Sequence, residues 1–122
     1  MIEIHPLRDK EKLAILYKEN NVDFSEGSIA IVASDRDDIL GFCLFDLKAD
    51  KGIVHKISPK DDISFADGLL RSALHVLVEN GIKDVFYSEN MDVKLLDTLK
   101  FIKNAQNKEL DVNRLFTSCK NC

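Results

Sequence analysis

Three histidines, two tyrosines and three cysteines are the residues able to move protons or form covalent bonds near neutral pH. His55 stands in the run Ile53 to Ser58, with the same side-chain parity as Ile53 and Ile57 on an alternating strand. Its ordinary pKa of ~6.5 suits a general base at neutral pH. A core or rim histidine bonded to the backbone fits the same pattern. Tyr87 ends another apolar run; its phenol is either a proton donor or a packed ring whose hydroxyl is satisfied locally. His75, beside Arg71 on a helical stripe, is expected to face solvent and takes no role.

Cys119-Lys120-Asn121-Cys122 is a Cys-x-x-Cys pair. Three readings stand: two free thiols in a tail, a thiol site acting with a partner or second subunit, or half of a metal site. A zinc ion wants four ligands, and only Cys43 and scattered histidines could add to the pair. The strand-then-helix context of a thioredoxin-like pair is missing. Cys43 lies in an apolar run and reads as a small core residue.

A chain of 122 residues, 45% apolar and 31% charged, matches one globular domain over residues 1–122. A domain of this size buries roughly two-thirds of its unfolded surface, so neither metal nor disulfide is needed for a core. Lys plus Arg number 17 against 21 Asp plus Glu, a net charge of −4, which disfavours nucleic acid and anionic membranes as partners. No apolar run approaches the ~20 residues of a membrane span, and Met1 to Pro6 has no secretory pattern, so a cytoplasmic location is expected. No phosphate-binding loop, dinucleotide fingerprint, serine-nucleophile motif or metalloprotease helix is present.

The elements that must position His55 and Tyr87 follow from periodicity. Ile2 to Ile4 alternates as a strand, and Asp9 to Asn20 has helical spacing with acidic residues at its start. Ser28 to Ala33, Ile39 to Leu47 and Ile53 to Ser58 are three strands joined by the polar turns Ser34 to Asp38 and Ala49 to Gly52, an antiparallel meander. A helix beginning at Ser64 carries the stripe Leu69, Leu70, Ala73, Leu74, Leu77 and Val78, and stops at Asn80-Gly81. Asp84 to Ser88 is a buried strand and Asp92 to Leu99 a helix. The strand–helix–strand order predicts that Ile53 to Ser58 and Val85 to Ser88 run parallel. Lys108 to Cys122 holds one edge strand and a short helical turn.

In order and spacing the chain resembles the GNAT superfamily of N-acyltransferases over nearly its whole length. Leu40-Gly41-Phe42-Cys43-Leu44 is similar to the family's third-strand entry, and Ile57-Ser58-Pro59 resembles the end of its fourth strand. Asn90 through Leu95-Leu96-Asp97-Thr98-Leu99-Lys100-Phe101 resembles the family's ending, Asn followed by Leu-Tyr-x-x-x-Gly-Phe. The resemblance implies an α/β fold with a mixed, mostly antiparallel sheet of about six strands and helices on both faces. It implies acetyl-CoA as cofactor, a small-molecule or protein amine as acceptor, and leaves room for a homodimer.

It also implies roles. His55 would be the base, and Ile57, Ser58, Ser64, Ala66 and Asn90 the coenzyme-side surface, in a gap beyond Ile57-Ser58 and Tyr87-Ser88. The family's pyrophosphate loop, Gln/Arg-x-x-Gly-x-Gly/Ala, falls on Asp61, Ser64 and Ala66, of which Ala66 alone fits. Asp61 and Asp62 oppose an anion there, and Lys56 or Lys60 is near enough in sequence to offset them. The family's proton-donating Tyr is Leu96 here, which leaves Tyr87 as the nearest phenol, and the glycine before Phe101 is Lys100. The alternative is a catalytically silent module of the same fold that binds a metabolite or protein partner and uses Cys119 and Cys122 in redox or metal sensing.

Overall fold

The computed structural model describes residues 2–117, so the Cys-x-x-Cys pair lies outside the described residues. One seven-stranded sheet runs in the order β1-β2-β3-β4-β5-β7-β6. Its strands are β1 (Ile2–Pro6), β2 (Ser28–Asp35), β3 (Asp38–Lys48), β4 (Lys51–Ser58), β5 (Asp84–Tyr87), β6 (Ile102–Asn104) and β7 (Glu109–Leu110). The helices are α1 (Lys10–Glu19), α2 (Ile63–Glu79), α3 (Val93–Leu99) and the single turn α4 (Arg114–Thr117). β2, β3 and β4 form the expected meander, and β4 and β5 are the expected parallel pair. The count of about six strands becomes seven because Ile102–Asn104 pairs with Glu109–Leu110 as a short hairpin. Neither strand of that hairpin is long enough to show alternation.

Each sheet face has its own helices because each strand alternates. On one face α1 sets Leu13, Leu16 and Tyr17 against Ala30, Val32 and Leu44. On the other, Leu69, Leu70, Ala73, Leu74 and Leu77 of α2 pack with Leu95, Leu96 and Leu99 of α3 over Ile31, Cys43, Phe45, Val54 and Val85. Each leucine so buried contributes about 1.5–3 kcal/mol of transfer free energy.

α2 begins one residue before the expected Ser64. Asp62 is its N-cap and accepts a hydrogen bond from the Phe65 N–H at 3.2 Å. Asp67 lies a turn inside the helix and pairs with Arg71 at 2.8 Å.

The α2 face tolerates no side chain at Gly52, where a Cβ would stand 2.6 Å from Leu77 Cδ1 and 2.9 Å from Leu77 Cδ2. Gly52→Ala is expected to cost about 1–3 kcal/mol by overpacking. Leu77→Ala is expected to cost about 2–5 kcal/mol by the cavity it leaves. Because the first methyl would fill part of the second cavity, the double variant should be more stable than the sum of the two losses. Urea midpoints of the three variants test this; strict additivity would show that the close approach is relieved by movement elsewhere.

Candidate functional site

The site is made by an irregularity in β4. Register runs Phe45↔Val54 and then Leu44↔Lys56, so His55 is the extra residue of a β-bulge with no partner of its own on β3. The bulge reverses the alternation. Val54 and Ile57 are both in the core under α2, whereas His55 is on the α1 face with Ile53 and is part-buried. The expected common parity of His55 and Ile57 is therefore corrected: a single extra residue separates them.

On that face His55 meets Asp46, which projects from β3 and is 2% exposed. His55 Nε2 lies 3.0 Å from Asp46 Oδ2, and His55 Nδ1 lies 3.0 Å from Ser88 Oγ. The other Asp46 oxygen, Oδ1, accepts the Ser28 hydroxyl at 2.9 Å and stands 3.4 Å from the Tyr17 hydroxyl. Lys48 Nζ is 3.6 Å from Oδ2. Burial by itself would raise the pKa of Asp46, but hydrogen bonds from His55 and Ser28 and the positive charges of His55 and Lys48 outweigh it and hold it below the ordinary value. Asp46 is thus a carboxylate. A proton on the nitrogen facing it makes that hydrogen bond, and the tautomer that carries its only proton there offers Nδ1 as an acceptor to the Ser88 O–H.

Tyr17 closes the network from α1. Its buried hydroxyl lies 2.7 Å from the Ile29 carbonyl and 2.8 Å from the Phe45 carbonyl, and accepts the Ile29 N–H at 3.2 Å. Burial first, and then the Asp46 charge, push its pKa well above the ordinary tyrosine value. It is a fixed donor that takes no part in proton transfer.

Ser88 follows β5. Its N–H bonds Val54 O at 3.0 Å, extending the parallel pairing by one bond, and its Oγ accepts the Asn90 N–H at 3.3 Å. Past this point β4 continues to Ser58 while the chain turns away from β5, so the β4 backbone from residue 55 onward has no strand partner on that side. The strands part at Tyr87-Ser88 as expected, but on β4 they part at His55, before the expected Ile57-Ser58. Beside this gap is an open groove of about 480 Å³ bordered by Ile53 and His55 of β4, Phe86 and Tyr87 of β5, Ser88 and Lys108, among others.

The sequence-derived residues do not all converge. Tyr87 is in register with Val54, and its ring belongs to the core under α2, on the other side of the sheet from the His55 ring. Ile57 is likewise a core side chain, and Ser58 follows it at the end of β4. Ala66 is fully buried, with its N–H on the Asp62 carbonyl at 2.9 Å. Ser64 lines a separate depression with Arg71 and Lys100. Asn90 is exposed and reaches Ser88 through its backbone. Sequence reasoning missed Asp46, Ser28 and Ser88. The legible signal was the one charge inside Phe42-Cys43-Leu44-Phe45-Asp46-Leu47, since a carboxylate in an apolar strand requires partners.

Among the described residues no group of three or more His, Cys, Asp or Glu side chains is placed to hold a metal ion. No described helix is long and apolar enough to cross a membrane.

Because the folded pKa of Asp46 is depressed, its contribution to stability is present above the unfolded carboxyl value of ~3.9 and is lost as pH falls through the folded value. Asp46→Asn should therefore lower stability at neutral pH yet lose less on acidification below about pH 4. Urea unfolding at a series of pH values measures both; parallel acid limbs would contradict the assignment. Tyr17→Phe, which leaves the Ile29 N–H without its acceptor, should cost about 1–3 kcal/mol in the same assay.

No protein-family model matches the chain, and no curated protein matches its sequence. Solved structures do match. The ribosomal-protein-S18-alanine N-acetyltransferase of Escherichia coli aligns with a TM-score of 0.58 at 12% identity, over 89% of this chain and 88% of that one. An aminoglycoside acetyltransferase from an uncultured soil metagenomic sample aligns at 0.53 and 15% identity, over 85% and 88%. The PaiA N-acetyltransferase of Thermoplasma acidophilum, solved in complex with coenzyme A, aligns at 0.51 and 18% identity, over 84% and 68%. With its mostly antiparallel sheet, its parallel β4–β5 pair and helices on both faces, the chain has the fold of the GNAT acetyltransferases.

Proposed function

We propose that the chain is an acyl-CoA-dependent N-acyltransferase acting on a small-molecule or protein amine. The observation that supports this best is the Asp46–His55–Ser88 chain of hydrogen bonds, beside the unpaired end of β4 in a fold shared with acetyltransferases. In this reading His55 is the base. Both of its nitrogens are engaged, so the amine proton reaches Nδ1 through the Ser88 hydroxyl: the amine gives its proton to Oγ as Oγ gives its own to Nδ1. Asp46 steadies the resulting imidazolium, as a buried carboxylate does for a catalytic histidine. The charged ring then supplies a proton for the departing thiolate, a task for which the buried Tyr87 is on the wrong side of the sheet.

Acetyl-CoA is the proposed cofactor, and a coenzyme A complex of one structural neighbour supports the choice. Ile57 and Ser58 offer backbone groups to the pantetheine arm at the end of β4. Ser64 and Ala66 begin α2, where the pyrophosphate would lie, and Asn90 borders the gap. The α2 start is an imperfect anion site, because Asp62 already takes the Phe65 N–H and Asp61 is exposed beside it. The N–H groups of Ile63 and Ser64 are those left for a ligand.

Calorimetric titration with acetyl-CoA, free CoA and desulfo-CoA tests the reading. Binding of all three in the micromolar range, with a dissociation constant unchanged in His55→Gln and acyl transfer slowed about 10²–10⁴-fold, is the expected outcome. Asp61→Arg combined with Ser64→Gly should tighten binding about ten-fold or more by removing a like charge. No binding at millimolar ligand would discard the coenzyme and leave a non-catalytic binding module of this fold.

A further inference from the structure

We propose that Ser88 is a nucleophile that accepts an acyl group covalently, so that an acyl-serine stands between donor and acceptor. The hydroxyl that relays a proton in direct transfer is also placed to attack: Ser88 Oγ lies 3.0 Å from Nδ1 of His55 and lines the groove. The opposite nitrogen is held by an ionised, almost fully buried carboxylate at 3.0 Å. Hydroxyl, imidazole and carboxylate in one hydrogen-bonded line are the parts of an activated serine, and such a set is identified by geometry and roles, whatever the fold. The ring nitrogens are exchanged relative to the usual serine-hydrolase triad, which leaves the acid–base logic unchanged.

Three further features fit a nucleophile. Ser88 lies just past the last residue of β5, lining the groove, where a substrate carbonyl has access. Its Oγ accepts the Asn90 N–H at 3.3 Å, which uses one lone pair and helps to fix the rotamer. The groove walls beside it, Ile53 and Phe86, are apolar, while the polar rim carries Asn107 and Lys108, whose Nζ lies 3.6 Å from Glu89 of the same groove. The donor is an activated acyl compound, a thioester or reactive ester with a short acyl chain.

The steps balance. Ser88 Oγ attacks the acyl carbon as its proton passes to His55 Nδ1. The new C–O bond replaces the C–S bond of the thioester, and the departing thiolate takes the proton from Nδ1. An amine, or water in its absence, then attacks the acyl carbon, loses a proton to Nδ1, and releases Ser88, which recovers that proton. The products are the amide or the free carboxylic acid, the free thiol, and unmodified protein.

The test uses the full chain and two probes. A fluorophosphonate, which forms an irreversible phosphonyl-serine without turnover, is expected to label the peptide containing Ser88, as read by mass spectrometry. Acid quenching during reaction with p-nitrophenyl acetate should trap one acetyl group on the same peptide. Ser88→Ala should abolish both labels. Ser88→Cys, which keeps a nucleophile of similar size, should restore the acetyl label as a thioester cleaved by neutral hydroxylamine. His55→Gln should slow labelling about 10²–10⁴-fold. Absence of both labels, labels confined to lysines such as Lys51 or Lys108, or equal labelling of Ser88→Ala would overturn the proposal. For the thioester donor alone the inference rests on the coenzyme reading, and the outcomes separate: amide formation from acetyl-CoA with no acyl-Ser88 retains direct transfer and removes the nucleophile. Labelled Ser88 without acetyl-CoA binding does the reverse.

Discussion

The structure around the groove depends on where one buried negative charge is neutralised. Asp46 is in the middle of the sheet, and an uncompensated carboxylate there would cost several kcal/mol. Its two oxygens draw partners from separate elements: Ser28 on β2, Tyr17 on α1, His55 on β4 and Lys48 further along its own strand. Each partner is then constrained. Tyr17 also engages backbone groups of β2 and β3, which locks α1 over the first face of the sheet. His55 reaches Oδ2 from the bulge, the point at which β4 turns a side chain away from the core under α2. A strand without the extra residue would continue the alternation of Gly52 and Val54, and Ile57 would fall on the face opposite the core it now fills.

The same bulge couples packing to the gap. Up to Val54, β4 is a central strand with partners on both edges, and from His55 onward it keeps only β3. Pairing with β5 ends at the Ser88 N–H, the residue whose side chain meets His55. The bulge on the β3 side and the end of the β4–β5 ladder thus coincide at His55, where the edge of β4 keeps unpaired backbone groups and the imidazole meets Ser88. Local loss of regular hydrogen bonding is the cost of a site placed within a sheet, and the surrounding core of α2 and α3 leucines supplies the stability that tolerates it.

What was legible in the sequence follows from the length scale of each signal. The meander, the amphipathic α2 and the parallel β4–β5 pair rest on patterns spanning eight or more residues, and they appear as expected. The β6–β7 hairpin rests on strands of three and two residues, too short for a period to register. His55 was identifiable by residue type and by its parity with Ile53, but the turn of Ile57 into the opposite core was not, because a bulge inserts one residue without a compositional mark. Ser88 had no signal of its own, since a serine after a strand usually serves a turn, and here it also accepts the Asn90 N–H as turn serines do. Lys100 is the converse case. Its residue type departs from the glycine of the resembled motif, yet it occupies the left-handed conformation with φ 63°, and its N–H caps α3 on the Asp97 and Leu96 carbonyls. The backbone requirement persists there although the residue that best satisfies it does not.

The start of α2 shows how two demands on one helix end compete. Unpaired N–H groups and the positive end of the helix dipole favour an anion, and either a side-chain carboxylate or a bound phosphate can meet that need. Asp62 is a built-in anion: it takes the Phe65 N–H, and a ligand must do without that donor or displace the cap. Lys60, the nearest cation in sequence, is 3.9 Å from Asp92 at the start of α3, so its charge is shared with the cap of that second helix. Any phosphate approaching α2 meets Asp61 and Asp62 with Lys60 turned to Asp92, so in the proposed reading affinity for a coenzyme comes mainly from the pantetheine arm along the unpaired edge of β4. In that reading the acyl end would lie beside β4 and β5, where Ser88 and His55 stand. The proposal thus divides binding by backbone groups from chemistry by the Asp46 network, whose hydrogen bonds are in place although Asp61 and Ser64 depart from the resembled anion-binding motif.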